Sequence, residues 1–195
     1  MTEPLNAQHS SPVTGGASFK TSHRVLRLFW GIWWLLLCRW TPPPLHFWRV
    51  WSLRLFGAKI HSSARVYGSA NVWYPPNLTM ERYAVLGPRS NCYCLDKIVI
   101  EEFATISQDA ELCGGSHDID DVHDQLCTQP IHIGRQAWVA AGAFVGPGVE
   151  IGEGAVIGAR GVTMKSLDPW KVYAGNPARY IRARSRFDRS VLADK

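Results

Sequence analysis

From Gly57 onward the chain repeats every six residues. Counting from Ile133, the first positions are Ile133, Val139, Val145, Ile151, Ile157 and Thr163, and the fifth are Ala137, Ala143, Val149, Ala155 and Gly161. Upstream, Ile100, Ile106 and Leu112 lead, with Ala104, Ala110 and Ser116 fifth. Before them Ile60, Val66 and Val72 lead, with Ala64 and Ala70 fifth. Eight of the nine hexads counted from Ile100 and Ile133 begin with Ile, Leu or Val. Neither a helix, with a period of about 3.6, nor an alternating strand, with a period of about 2, produces that regularity. Three short strands per coil of about eighteen residues do. The aliphatic points inward and stacks on the coils above and below, while the small residue fits a tight corner. The pattern predicts an all-β domain, a parallel β-helix over residues 57–177. Register is lost between Tyr74 and Lys97, although Leu86-Gly87 reads as a further hexad start. A polar stretch, residues 113–130, interrupts the repeat and reads as a loop.

The N-terminal part has a different pattern. Residues 1–19 are polar and without periodicity, and are expected to form a disordered tail. Residues 20–56 read as a helical segment. Thr21 or Ser22 can cap a first helix, which Pro42–Pro44 end. Leu45–Phe56 reads as a second helix, with Pro44 in its first turn and Gly57 as its stop. Trp48, Trp51 and Leu55 share a face of it, and Arg49 and Arg54 lie off that stripe. At the other end, residues 178–195 are expected to be a short helix and tail, with Arg179, Arg182 and Arg186 on one helical face.

Charge sharpens this division. Of 195 residues, 1–80 hold eight Lys/Arg and one acid, a net of +7, whereas 81–195 hold thirteen Lys/Arg and fifteen acids, a net of −2. Six of the nine Trp lie between residues 30 and 51, within the basic part. That asymmetry disfavours a nucleic-acid binder and locates the basicity in an appended helical segment. Five Cys, an odd number without framework spacing, fit free thiols in a reducing cytoplasm. The longest apolar run, Leu28–Cys38, is eleven residues, short of the roughly 20 that span a bilayer. Two readings of residues 20–56 stand side by side. They can cap the first coil and shield its strand edges. They can also lie on the inner face of a membrane as a peripheral anchor, Trp, Leu and Phe beside Arg being suited to anionic lipid.

The hexads, of the form [LIV]-G-x-x-[STAV]-x, the interrupting His-bearing loop, the run I-H-I-G-R-Q-A-W-V and the closing G-N-P-A-R-Y-I-R of residues 175–182 resemble the hexapeptide-repeat acyltransferases. Within that family the pattern is similar to the sugar and xenobiotic O-acetyltransferase branch. The Trp/Arg segment ending LRLFGAKI is similar to the colanic-acid type of exopolysaccharide acetyltransferase. The resemblance implies a left-handed β-helix, a homotrimer with active sites between subunits, acetyl-CoA as co-substrate, a saccharide acceptor and no metal. It places His117 on the catalytic histidine and Trp138 on an aromatic lining the acceptor and pantetheine region. It places Ala141 and Ala159 on backbone contacts to the pantetheine arm, and Lys165, Arg179 and Arg182 near the nucleotide phosphates. Two departures stand out: the family often has Ser where this chain has Ala141, and Thr where it has Met164.

The chemistry fits those residue types. Acetyl transfer from a thioester to a hydroxyl needs a base for the hydroxyl proton, and histidine, with an ordinary pKa of about 6.5, is suited. Asp118, beside His117, could orient the imidazole. Trp138 precedes an inward Val139 and should therefore point outward. Other readings are a small-molecule or antibiotic acetyltransferase, a zinc-dependent lyase using His117, His123 and His132, and a non-catalytic membrane-docked scaffold. Cys113, His117, His123 and Cys127 form C-x3-H-x5-H-x3-C, which is not a common zinc spacing.

Overall fold

The computed structural model describes residues 5–189 and 191. The ends of the expected N-terminal tail and C-terminal segment lie outside the described residues. Three parallel sheets form the sides of a triangular prism. The first holds Lys59–Ile60, Leu78–Met80, Ile98–Ile100, Ile131–Ile133 and Glu150–Ile151. The second holds Arg65–Val66, Val85–Leu86, Thr105–Ile106, Trp138–Val139, Val156–Ile157 and Lys171–Ala174, with Arg179–Ala183 at its end. The third holds Asn71–Val72, Asn91–Tyr93, Glu111–Cys113, Phe144–Val145 and Val162–Thr163.

The register explains the hexads. In the second sheet Val66 pairs with Leu86, Leu86 with Ile106, Ile106 with Val139 and Val139 with Ile157, so first positions stack in one buried row. Each such side chain, fully withdrawn from water, contributes about 1.5–3 kcal/mol. Fifth-position alanines, from Ala64 to Ala155, are buried at the corners. The fourth position takes a left-handed φ, as at Phe103 (58°), Gln136 (58°) and Gly148 (73°).

The lost register over 74–97 has a simple cause. In the first coils Lys59 pairs with Thr79, Arg65 with Val85 and Asn71 with Asn91, so one turn takes twenty residues. Later, His132 pairs with Glu150 and Trp138 with Val156, eighteen residues on. The extra residues sit at the corner leaving the third sheet, around the 3-10 turn Pro75–Asn77 and at 94–97. The same corner opens in the next coil into residues 113–130.

The N-terminal helices lie against the first coil. Ala7–Ser10 (α1) is followed by Thr21–Trp33 (α2), a π-helical turn Trp34–Cys38, and His46–Leu55 (α3). Residues 5–19 are therefore not the disordered tail expected from their composition. Ala7 is buried, and its N–H donates to Gln125 Oε1 at 2.7 Å, far along the chain. His23, Trp30, Trp34 and Cys38 form the inward stripe, and Trp30 Nε1 donates to the Val72 carbonyl at 2.7 Å. Gly68 is needed beneath the helix end, because a Cβ there would lie 2.7 Å from the Arg39 carbonyl.

In α3 the buried face is not the shared stripe of Trp48, Trp51 and Leu55. Arg49, Val50, Ser52 and Leu53 are buried, while Trp51 and Leu55 are exposed. The reason is hydrogen bonding. The Arg49 guanidinium donates to the carbonyls of Val66, Thr41, Pro42 and Pro43 and to Thr41 Oγ1, tying the proline turn to the first coil.

The C-terminal helix is also replaced. Arg179–Ala183 is a strand running antiparallel to Lys171–Ala174 after a turn at Gly175, whose φ is +97°. Residues 184–189 then descend along the edge between the first and second sheets. Arg184 N donates to the Trp170 carbonyl at 2.8 Å, Arg184 Nη1 to the Gly154 carbonyl at 2.8 Å, and Asp188 meets Arg135 at 2.9 Å. Sheet pairing and these edge contacts outcompete a helical preference that only the arginine spacing suggested.

Arg49→Ala strands several buried carbonyls, and is expected to lower the unfolding free energy by about 3 kcal/mol or more, whereas exposed Arg39→Ala changes it by under about 0.5 kcal/mol. Urea titrations check this. A second expectation concerns pH. Burial first, and then the Arg27 charge, lower the pKa of His23 from 6.5 to about 4. Between those values the unfolded chain binds a proton that the folded chain refuses. Stability is therefore full above about pH 6.5 and falls as pH drops toward 4. His23→Phe should remove that part of the slope in urea midpoints measured across the range.

Candidate active site

The loop of residues 113–130 is a hairpin. Gly115–His117 pairs antiparallel with Leu126–Thr128, with His117 opposite Leu126. It projects from the corner between the third and first sheets, and Ser116 therefore leaves the repeat in which it was counted. Gly115 is pressed against Leu95, since a Cβ there would fall 2.2 Å from its Cδ1. The two-residue bulge at 94–97 thus forms the floor of the hairpin.

His117 closes the paired part of the hairpin, half exposed, with Nδ1 2.8 Å from the Asp124 carbonyl and 3.4 Å from Asp124 Oδ2. A carbonyl only accepts, so Nδ1 carries the proton and Nε2 presents a lone pair outward. Asp118, the acid expected to orient the ring, does something else. Its Oδ1 accepts the Asp120 N–H at 3.1 Å, and its own N–H donates to the Gln125 carbonyl at 2.9 Å. The partner of the imidazole is Asp124, a residue that adjacency in sequence does not reveal. The hairpin brings it across.

Trp138 does point outward, with Nε1 donating to Ser107 Oγ at 2.8 Å. In the second sheet it pairs with Val156, Val156 with Val172, and Val172 with Arg182. These residues share the outer side, so Trp138 and Arg182 end a row of three strand spacings, about 14 Å long. Arg179 pairs with Ala174, and the shift in register between Val172 and Tyr173 keeps it on the same side as Arg182. The two arginines share a face as expected, but of a bulged strand rather than a helix. Ala141 and Ala159 occupy successive turns of the adjoining corner, joined by the Arg160 N–H to the Ala141 carbonyl at 2.9 Å.

Lys165 lies elsewhere. It is exposed at the corner from which the hairpin emerges, two coils further on, and its backbone is held by Thr163 Oγ1. One chain therefore carries two groups of expected site residues. His117 and Lys165 lie on one edge; Trp138, Ala141, Ala159, Arg179 and Arg182 lie around the second sheet and its far corner.

Metal ligation finds no support in the geometry. Among the described residues no three of His, Cys, Asp and Glu converge on one point. His132 is engaged with Glu101 at 2.7 Å on the first sheet, away from the hairpin. The Cys113 thiol donates to the Gly115 carbonyl at 3.2 Å, and burial pushes its pKa up, which keeps it a poor nucleophile.

A stacked hexapeptide prism with a histidine hairpin at one corner defines a class, the left-handed β-helix acyltransferases, and comparison with known proteins agrees. Residues 130–162 match the family model described as bacterial transferase hexapeptide (six repeats). The putative colanic acid biosynthesis acetyltransferase WcaF of Escherichia coli K12 is 43% identical over 156 residues, covering 78% of this chain and 86% of that protein. The chain belongs to the hexapeptide-repeat acetyltransferase family that includes WcaF. A maltose O-acetyltransferase from Clostridium difficile 630 superposes with a TM-score of 0.76 at 22% identity, over 86% of this chain and 90% of that one. A galactoside acetyltransferase in complex with coenzyme A superposes with a TM-score of 0.78 at 20% identity, over 93% and 92%.

The ring tautomer of His117 is checkable without any substrate. Nitrogen-15 NMR should find the neutral imidazole protonated at Nδ1, and Asp118→Asn should leave that tautomer unchanged. A shift to the Nε2-protonated form in the variant would restore Asp118 as the orienting group.

Proposed function

We propose that this protein transfers acetyl from acetyl-CoA to a hydroxyl of a saccharide destined for a surface polysaccharide. The observation that carries the reading is the imidazole of His117. It is held by Nδ1 at the end of the hairpin's first strand and leaves Nε2 free to accept a proton. Kinship with WcaF supports the polysaccharide context, and the coenzyme A complex of the galactoside enzyme supports the donor. Acetyl-CoA also favours a cytoplasmic setting.

His117 Nε2 takes the proton of the acceptor hydroxyl as the oxygen attacks the thioester carbonyl. The tetrahedral intermediate collapses with rupture of the C–S bond. The proton on the imidazolium passes to the departing coenzyme A thiolate, leaving ester and free thiol. The outer row from Trp138 to Arg182 suits an elongated donor lying along the coils. The arginines would pair with phosphates through charge-assisted bonds, and the Trp would flank the pantetheine arm. The Ala141 and Ala159 turns offer backbone groups there, while Ala141 lacks the hydroxyl that relatives often have. Lys165 and His117, on the other edge, would meet this row from a neighbouring copy. The homotrimer with shared sites that the family resemblance implies would meet this arrangement.

Thiol release from acetyl-CoA with an oligosaccharide panel, including one small aromatic alcohol, measures the activity. His117→Ala should lower kcat by about 10²- to 10⁴-fold. Unchanged turnover would refute the base. For the shared site, subunits carrying His117→Ala are mixed with subunits carrying Arg179→Ala and Arg182→Ala. Partial recovery of activity is expected. A monomer by sedimentation, or no recovery on mixing, would count against sites between subunits.

A further inference from the structure

The two N-terminal helices have an inner face that the β-helix fully occupies, and an outer face that is just as apolar. Along α2 and the following turn, Val25, Leu28, Phe29, Ile32 and Leu36 recur at helical spacing, and all are exposed. Leu28 and Phe29 are each 61% exposed, Leu36 67% and Trp40 78%. Such values are ordinary for a lone surface residue, but not for a continuous stripe. The stripe continues onto α3. Trp33 stacks against Trp48 at 6.4 Å and approaches Trp51 at 6.3 Å, and Trp48 Nε1 donates to the Leu37 carbonyl at 2.8 Å. Beyond these rings Phe47, Trp51 and Leu55 extend the same surface outward.

A helix that is apolar on both sides is ordinarily buried on both. The surrounding charge says against what. Exposed Lys20, Arg24, Arg39 and Arg54 belong to the same segment, and no Asp or Glu occurs anywhere from Pro4 to Met80. A second copy of this chain would bring like charges together, which opposes self-association. An acidic surface with an apolar interior meets both features at once. Among the described residues no helix is long and apolar enough to cross a membrane. The segment from Thr21 to Cys38 would instead lie flat, with Trp rings at headgroup depth and arginines on lipid phosphates.

We infer that the outer face of α2 and α3 docks this protein on an anionic lipid bilayer. The inference is independent of the acetyl-transfer reading. It would set the catalytic body against a membrane, where a lipid-linked acceptor is within reach.

The test is sedimentation of the full chain with unilamellar vesicles of phosphatidylglycerol and phosphatidylcholine, against vesicles of phosphatidylcholine alone. Strong binding to the anionic vesicles only, reduced as salt is raised, is expected. Leu28→Glu with Phe29→Glu should weaken that binding by about a hundredfold. Arg24→Gln with Arg39→Gln should weaken it by about thirtyfold. Both pairs are surface positions, so circular dichroism and thiol release with a soluble acceptor should match the parent. Should the glutamate pair fail to fold, the glutamine pair decides. Absence of binding by the parent chain, or equal binding by a folded variant, overturns the inference. So does an assembly that the glutamate pair dissociates while the parent ignores vesicles, which would make the face a contact between copies.

Discussion

The ladder of parallel backbone bonds between successive coils governs everything else in this molecule. Strands must repeat every 4.7–4.9 Å or so along the axis. Each coil therefore has to present an aliphatic side chain inward at the same three places, and a small residue at each turn. The row Val66, Leu86, Ile106, Val139, Ile157 in one sheet shows how completely the sequence obeys. Thr163, at the last such position, keeps the rule by donating its hydroxyl to the Lys165 carbonyl at 2.6 Å. A polar group is tolerable in that interior only because the bond is made. Two of the three corners cannot grow without breaking the stack. The third absorbs every insertion: a short turn at Pro75–Asn77, another at 94–97, and then the hairpin bearing His117.

This constraint accounts for what could be read from the sequence. A rule that acts at every sixth residue leaves a signal in single positions, so the prism and the hairpin's place in it are visible. The gap over 74–97 reflects the same rule with twenty residues per turn, Lys59 facing Thr79 and Asn71 facing Asn91. What was not visible depends in each case on a contact that the six-residue period does not encode. Arg49 is inside because four carbonyls of the proline turn and first coil await it. Arg179 and Arg182 share a face through a bulge, not through a helical turn. Asp124 holds His117 only because the hairpin closes. Ala7 is buried because a loop more than a hundred residues away offers Gln125.

The division of expected site residues between two edges follows from the same geometry. A prism side is flat and convex, and a single β-helix has few concavities in which to enclose two substrates. The second sheet offers a long outer row, and the hairpin offers a projecting base, on different sides of one chain. Under the proposed shared site, a cleft would form where two such prisms stand side by side, one copy's hairpin facing the other's row. Assembly and catalysis would then be one problem, and the projecting hairpin would be the part of the fold that joins them.

The N-terminal segment solves a different problem of the same ladder. The first coil has a row of backbone groups with nothing below it, which invites association with another chain. A helix pair with one apolar stripe would suffice to cover it, and Trp30 on Val72 and Arg49 on Val66 do so. Capping therefore explains the inner face in full and leaves the outer one unexplained. Exposed Leu28, Phe29, Leu36 and Trp40 add nothing to the cap, and their exposure costs solubility. The absence of acids over the same stretch adds nothing to the cap either. Two surplus features on one surface, apolar side chains and unbalanced positive charge, have a common physical match in a phospholipid headgroup layer.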